Sequence, residues 1–133
     1  MVADASALVE YLLRLPGATS IRMVLTNEET DLHVPALCDV EVAAVFRRAM
    51  LAGVMPERRM WEAVEDYLDL PITRHGHQGL LPRIMELREN FTAYDGTYLA
   101  LAEALPGSLL TADDRLMRGA RAHTEIPVLP YLR

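Results

Sequence analysis

The sequence predicts an α/β fold in which helices cover both faces of a parallel sheet. Three observations lead there. Helix-like segments alternate with short strand candidates from one end of the chain to the other. The strand candidates are short and apolar, as strands buried under helices are. No repeat, low-complexity stretch or linker interrupts the alternation, and 133 residues suit one domain, 1–133, with one core.

Each element has its own signal. Residues 1–3 form a short apolar start, followed by a helix-like run over 5–13 that Pro16-Gly17 breaks. A second run, 18–25, places Ala18, Ile21 and Leu25 at helical spacing. Residues 31–34 read as a strand ended by Pro35. A helix over 37–51 follows, with Val40, Ala44 and Val45 expected on its inner face and Gly53 just past its end. Pro56 opens the next helix, whose apolar stripe is Met60, Val64, Tyr67 and Leu68. Residues 70–73 are a strand candidate and 76–79 a turn. A helix comes next, with Leu80, Ile84 and Leu87 on one side. Residues 92–105 carry the clearest helix, stopped by Pro106-Gly107. Then come a strand at 109–111, a helix at 115–120 and a last strand at 128–129.

Composition narrows the function classes. About half the residues are apolar (51%), yet no apolar run approaches the ~18 residues of a membrane span. The Met-Val-Ala-Asp start lacks the basic and apolar regions of a signal peptide, and one cysteine, Cys38, makes no internal disulfide; a cytoplasmic protein is expected. The formal charge of −6 argues against a non-specific polyanion binder. No glycine-rich phosphate loop is present.

Four acids stand out by position. Asp4, Glu41, Asp95 and Asp113 each fall at a strand end or a helix start. In a parallel α/β sheet all strands end at one edge, the following helices begin there, and ligands bind there. Singly, each acid has a structural explanation. Asp4 suits an N-cap, and Glu41 suits the positive end of its helix. Asp95 completes a capping box with Thr92. In Thr111-Ala112-Asp113-Asp114 the box acid is Asp114, which leaves Asp113 without a capping task. Jointly they conflict: two carboxylates ~6 Å apart repel by roughly 2.8 kcal/mol at an effective dielectric of ~20. Helix dipoles offset part of that, and a hard divalent ion, Mg²⁺ or Mn²⁺, resolves it.

Four segments containing these acids resemble one family. They are Val2-Ala3-Asp4-Ala5-Ser6-Ala7-Leu8, the stretch Val34-Pro35-Ala36-Leu37-Cys38-Asp39-Val40-Glu41-Val42-Ala43, Thr92-Ala93-Tyr94-Asp95-Gly96-Thr97-Tyr98-Leu99-Ala100-Leu101-Ala102, and Leu109-Leu110-Thr111-Ala112-Asp113-Asp114-Arg115-Leu116. In this order they resemble PIN-domain ribonucleases of the VapC toxin type. The resemblance implies a three-layer α/β/α sandwich around a parallel sheet of four or five strands. It implies Mg²⁺- or Mn²⁺-dependent RNA cleavage, a homodimer, and a cognate antitoxin protein. It carries the acidic quartet onto Asp4, Glu41, Asp95 and Asp113, and small hydroxyl positions onto Ser6 and Thr111. Only three residues precede Asp4, so a very short first strand is expected.

The expected chemistry is metal-assisted hydrolysis of an RNA phosphodiester in tRNA or rRNA, with no protein nucleophile. Asp4 and Asp95 hold the principal ion, Asp113 completes that site or holds a second ion, and Glu41 orients water. Arg115 and Arg118, near the start of the last helix, are candidate phosphate contacts. The competing readings are a catalytically inactive PIN-like module that binds RNA or protein, and a phosphoryl-accepting signalling domain. The latter wants a lysine, and this chain has none. His75-Gly76-His77 reads as an exposed loop and Cys38 as a small core residue. Arg47-Arg48 and Arg58-Arg59 read as exposed surface. Met60, Trp61, Val64 and Leu68, like Tyr11, Leu12 and Leu13, fit either core packing or a partner surface.

Overall fold

The computed structural model describes residues 1–27 and 29–129. Five parallel strands form one sheet: β1 (Val2–Ala3), β2 (Leu32–Pro35), β3 (Ile72–His75), β4 (Leu109–Leu110) and β5 (Val128–Leu129), in the order β3-β2-β1-β4-β5. Between them run α1 (Ala5–Leu12), α2 (Ala18–Leu25), α3 (Leu37–Leu51), α4 (Glu57–Asp69), α5 (Leu81–Glu86), α6 (Ala93–Ala104) and α7 (Asp114–His123), with a 3₁₀ turn at Gln78–Leu80. Helices α1 to α4 pack on one another, whereas α6, flanked by α5, lies across β1, β2 and β4. The result is a three-layer α/β/α sandwich. Val2, Ala3, Val34, Leu109 and Leu110 are fully buried between its layers, with Leu8, Ile21, Phe46 and Leu99 closing on them from the helices.

The strand order sets the functional edge. The chain builds from β1 outward through β2 to β3, then returns to add β4 and β5 on the other side of β1. The strand order therefore reverses between β1 and β4, and the carboxyl ends of strands at such a reversal are where sheets of this kind form their ligand crevice. Val2 pairs with Leu109 and Ala3 with Leu110, so Asp4 follows β1 directly opposite Thr111.

Several elements differ from expectation for local reasons. Helix α1 ends at Leu12 rather than Leu13, because Arg14 adopts a left-handed conformation (φ 54°). The Leu15 and Arg14 N–H groups then close on the Glu10 and Tyr11 carbonyls, a Schellman termination made without glycine. The Glu10 carboxylate also accepts from the Gly17 N–H (2.9 Å). Pro35 is the last residue of β2, since a strand end tolerates a missing N–H. Strand β3 starts at Ile72, two residues later than expected, because the Leu70 carbonyl takes the Ile72 N–H (2.8 Å) in a tight turn around Pro71.

The inner face of α3 is Cys38, Val42 and Phe46, while Val40 is 68% exposed. This helix is apolar around most of its circumference, so periodicity alone did not orient it. On α4, Ala63 and Tyr67 are buried, one helical turn apart on one face, and Leu68 and Trp61 are exposed. Arg59 is not simply surface: it donates to the Leu12 carbonyl (2.6 Å). His75 sits in β3 rather than a loop, and it shares a 2.8 Å hydrogen bond with His33 of β2. Helix α7 begins at Asp114 and runs to His123. No helix among the described residues is long and apolar enough to cross a membrane.

Candidate metal and catalytic site

Asp4 follows β1 at the strand-order reversal and is 5% exposed. It caps α1 through the Ala7 N–H (3.0 Å to Oδ1). The Ser6 hydroxyl also donates to Oδ1, at 2.6 Å, and the Thr111 hydroxyl donates to Oδ2, at 2.6 Å. Each hydroxyl gives its one proton to Asp4 and also accepts a backbone N–H. Ala112 donates to Ser6 Oγ and Asp113 to Thr111 Oγ1, both at 3.0 Å. The 3.3 Å approach of Ser6 Oγ to Thr111 Oγ1 therefore carries no proton of its own. Burial pushes the Asp4 carboxyl up to about 6, against the three hydrogen bonds that favour its charge; the nearby Asp113 carboxylate adds to the rise.

Asp113 is the N-cap of α7, accepting from the Arg115 N–H (2.9 Å) and the Leu116 N–H (3.1 Å). The capping expectation for this segment is thus corrected: Asp113 caps the helix, Asp114 is its first residue, and Thr111 serves Asp4 instead. The reason is register, since Thr111 emerges from β4 facing Asp4 before the chain turns into the helix. Asp95 occupies the first turn of α6, where Thr92 Oγ1 accepts its N–H (3.1 Å) as anticipated. Burial raises the Asp95 pKa, the Arg115 guanidinium lowers it, and Asp113 raises it again. Arg115 Nη2 lies 3.2 Å from Asp95 Oδ2 and 3.8 Å from Asp113 Oδ2, so one cation spans both carboxylates. Arg118 is exposed on α7.

Glu41 enters from the second turn of α3, and its Oε1 is buried with no hydrogen-bond partner. The Tyr98 hydroxyl from α6 is likewise buried and unpartnered. The two stand close enough that Glu41 helps hold the Tyr98 proton in place, after burial and Cys38, yet their present geometry makes no hydrogen bond. Cys38 is buried, and burial pushes its thiol up to about 11, so it stays protonated and inert. Tyr98 has one sequence signal: it follows Asp95 by three residues, one helical turn.

The residues suit a hard divalent ion. Every available donor is an oxygen, Arg115 shows that Asp95 and Asp113 accept positive charge between them, and Glu41 Oε1 is a buried oxygen without a partner. As the side chains stand, no three His, Cys, Asp or Glu groups among the described residues converge within one coordination sphere. The edge therefore gathers Asp4, Asp95 and Asp113 as neighbours, with Glu41 arriving from α3 on the Tyr98 side, rather than as one tight quartet. A cavity of about 630 Å³ lies away from them, lined by Tyr11, Leu12 and Ala18 with Arg14, Arg22 and Asp66.

Known proteins share this architecture. The model of the PIN domain matches residues 1–122. This chain belongs to the PIN-domain family, in its VapC branch. The VapC ribonuclease Mb0985 of Mycobacterium bovis is 39% identical over 130 residues, 98% of each chain. Ribonuclease VapC12 of Mycobacterium tuberculosis is 34% identical over 129 residues, 97% of this chain and 98% of that one. The crystal structure of PAE2754 from Pyrobaculum aerophilum superposes with a TM-score of 0.66 over 96% of this chain and 81% of that one. At 18% identity it supports the PIN fold alone.

Proposed function

We propose that this PIN domain is a divalent-metal-dependent endoribonuclease, the toxin of a toxin–antitoxin pair, which hydrolyses phosphodiester bonds in structured cellular RNA such as tRNA or rRNA. The observation that carries the reading is Asp4: a buried carboxylate at the strand-order reversal, oriented by two hydroxyls, with Asp95 and Asp113 on the adjoining helix starts. A buried acid in such a place is a functional candidate, because its folded environment works against its own charge.

Asp4, Asp95 and Asp113 are the ligand set for Mg²⁺ or Mn²⁺. When bound, the ion supplies Lewis-acid charge for the phosphoryl oxygens and acidifies a water for attack on phosphorus. The chain's own residues prepare that chemistry. Ser6 and Thr111 each hold one Asp4 oxygen by a short donated hydrogen bond, which with the Ala7 N–H on Oδ1 fixes the carboxylate plane and leaves one lone pair of Oδ2 open. Glu41 orients the attacking water with its unpartnered oxygen. Arg115 moves from Asp95 and Asp113 to a substrate phosphate, and Arg118, on the same helix, offers a second phosphate contact.

The partners follow from the same reading. They are RNA, a second copy of the chain, and an antitoxin protein that blocks the site. Tyr11 at the 630 Å³ cavity, with Trp61 exposed on α4, offers apolar surface for a protein partner, whereas Leu12 is buried in the core. The test is cleavage of purified tRNA and rRNA by Asp4→Asn and Asp95→Asn variants, with RNA 5′-end sequencing after brief induction to locate the cut. Loss of cutting by folded variants is expected; undiminished cutting would sink the site assignment. A short DNA-binding protein in the adjacent reading frame, binding and silencing the enzyme, is the expected antitoxin.

A further inference from the structure

Two buried polar atoms remain unused at the rim of the acidic crevice, Glu41 Oε1 on α3 and the Tyr98 hydroxyl on α6. A buried polar group without a partner costs about 1–3 kcal/mol, so a pair of them side by side calls for an explanation. Tyr98 is 2% exposed, on a helix whose residues Gly96 to Ala102 are all buried. Its backbone follows Asp95 by one turn, so the phenol is fixed relative to an acid of the crevice. The Cys38 thiol also neighbours Tyr98, and a thiol is a weak hydrogen-bond partner. Beyond it, Tyr67 is already committed to Asp39 (2.6 Å), which Arg74 holds in turn (2.9 and 3.0 Å).

We propose that Tyr98 is the positioning residue for Glu41: its phenolic O–H donates to Glu41 Oε1 and aims the other carboxylate oxygen into the crevice when a divalent ion is held there. This rests on the metal-dependent reading above. Burial, with Cys38 and Glu41 alongside, keeps the phenol protonated at any working pH, so it is always a donor. A carboxylate reaching from a different helix than its neighbours gains most from such an anchor, because one χ rotation otherwise swings its oxygens out of line.

The test measures Mn²⁺ affinity of the full chain by calorimetry, together with single-turnover cleavage of purified tRNA and rRNA. The variants are Tyr98→Phe, Glu41→Gln and the double substitution. Tyr98→Phe removes one oxygen and keeps the packing, so its melting temperature without metal should equal or exceed that of the parent. Mn²⁺ binding should nevertheless weaken about tenfold, the scale of a lost outer-shell partner. The cleavage rate should fall with RNA affinity unchanged, and neither effect should appear when Tyr98→Phe is added to Glu41→Gln. A Tyr98→Phe protein that binds Mn²⁺ like the parent overturns the proposal, as does a tenfold loss that persists undiminished beside Glu41→Gln. Failure of the underlying reading looks different: Asp95→Asn would then bind Mn²⁺ and cut RNA like the parent.

Discussion

Asp4 is both a helix cap and a buried charge, and these roles act on stability in opposite directions. Its folded pKa, about 6, lies above the ordinary 3.8, so between these values the folded state binds more protons than the unfolded one. Its contribution is therefore most favourable below about pH 4, declines as pH rises through about 6, and is flat above. The difference is on the order of 3 kcal/mol. In EDTA, thermal unfolding between pH 4 and 8 should show this decline, and Asp4→Asn should flatten it while raising the melting temperature at pH 7. The same substitution should abolish cleavage. Thr111→Val removes a donor to Asp4 and an acceptor for the Asp113 N–H, and should cost about 1–3 kcal/mol in denaturant titration.

At the scale of elements, α3 and α1 make separable predictions. Phe46 is fully buried on the true inner face of α3, so Phe46→Ala should cost about 3–5 kcal/mol by chemical denaturation, whereas Val40→Ala on the exposed face should cost less than about 1 kcal/mol. Arg14 holds a left-handed conformation at the end of α1, where glycine is at ease. Arg14→Gly should raise stability by about 0.5–1 kcal/mol, which a urea midpoint would show. These elements also mark how much local pattern could reveal. Thr92 capping α6 and Gly53 with positive φ closing α3 were legible, because such residues act within one turn. The face of α3 was not, because a helix apolar on several sides is oriented by what packs on it.

For the whole molecule, the formal charge of −6 sets the terms on which RNA is met. On the proposed function a bound divalent ion would offset part of that charge, and it should stabilise the folded chain by linkage. At Mn²⁺ one hundred times its dissociation constant, the gain should be about 2.7 kcal/mol, read as a rise in melting temperature that Asp4→Asn and Asp95→Asn abolish. RNA binding should weaken with added salt. Arg115→Ala and Arg118→Ala should each lower the logarithmic slope by about 0.7, the value for one single-strand phosphate contact.

The sequence by itself determined the α/β alternation and the acids Asp4, Glu41, Asp95 and Asp113 near element ends. These are written in residues close along the chain, where caps, breakers and short apolar runs act; the hydroxyl positions Ser6 and Thr111 came from the resemblance to PIN-domain ribonucleases alone. Only the tertiary structure decided that β1 lies between β2 and β4, which sets Thr111 opposite Asp4. It also decided that Asp113 rather than Asp114 caps α7, that Arg115 spans two carboxylates, and that His33 meets His75. It placed the Tyr98 hydroxyl beside Glu41. The physical reason is that strand order and register follow from burying both faces of the sheet at once, a condition on the whole chain that no local segment encodes.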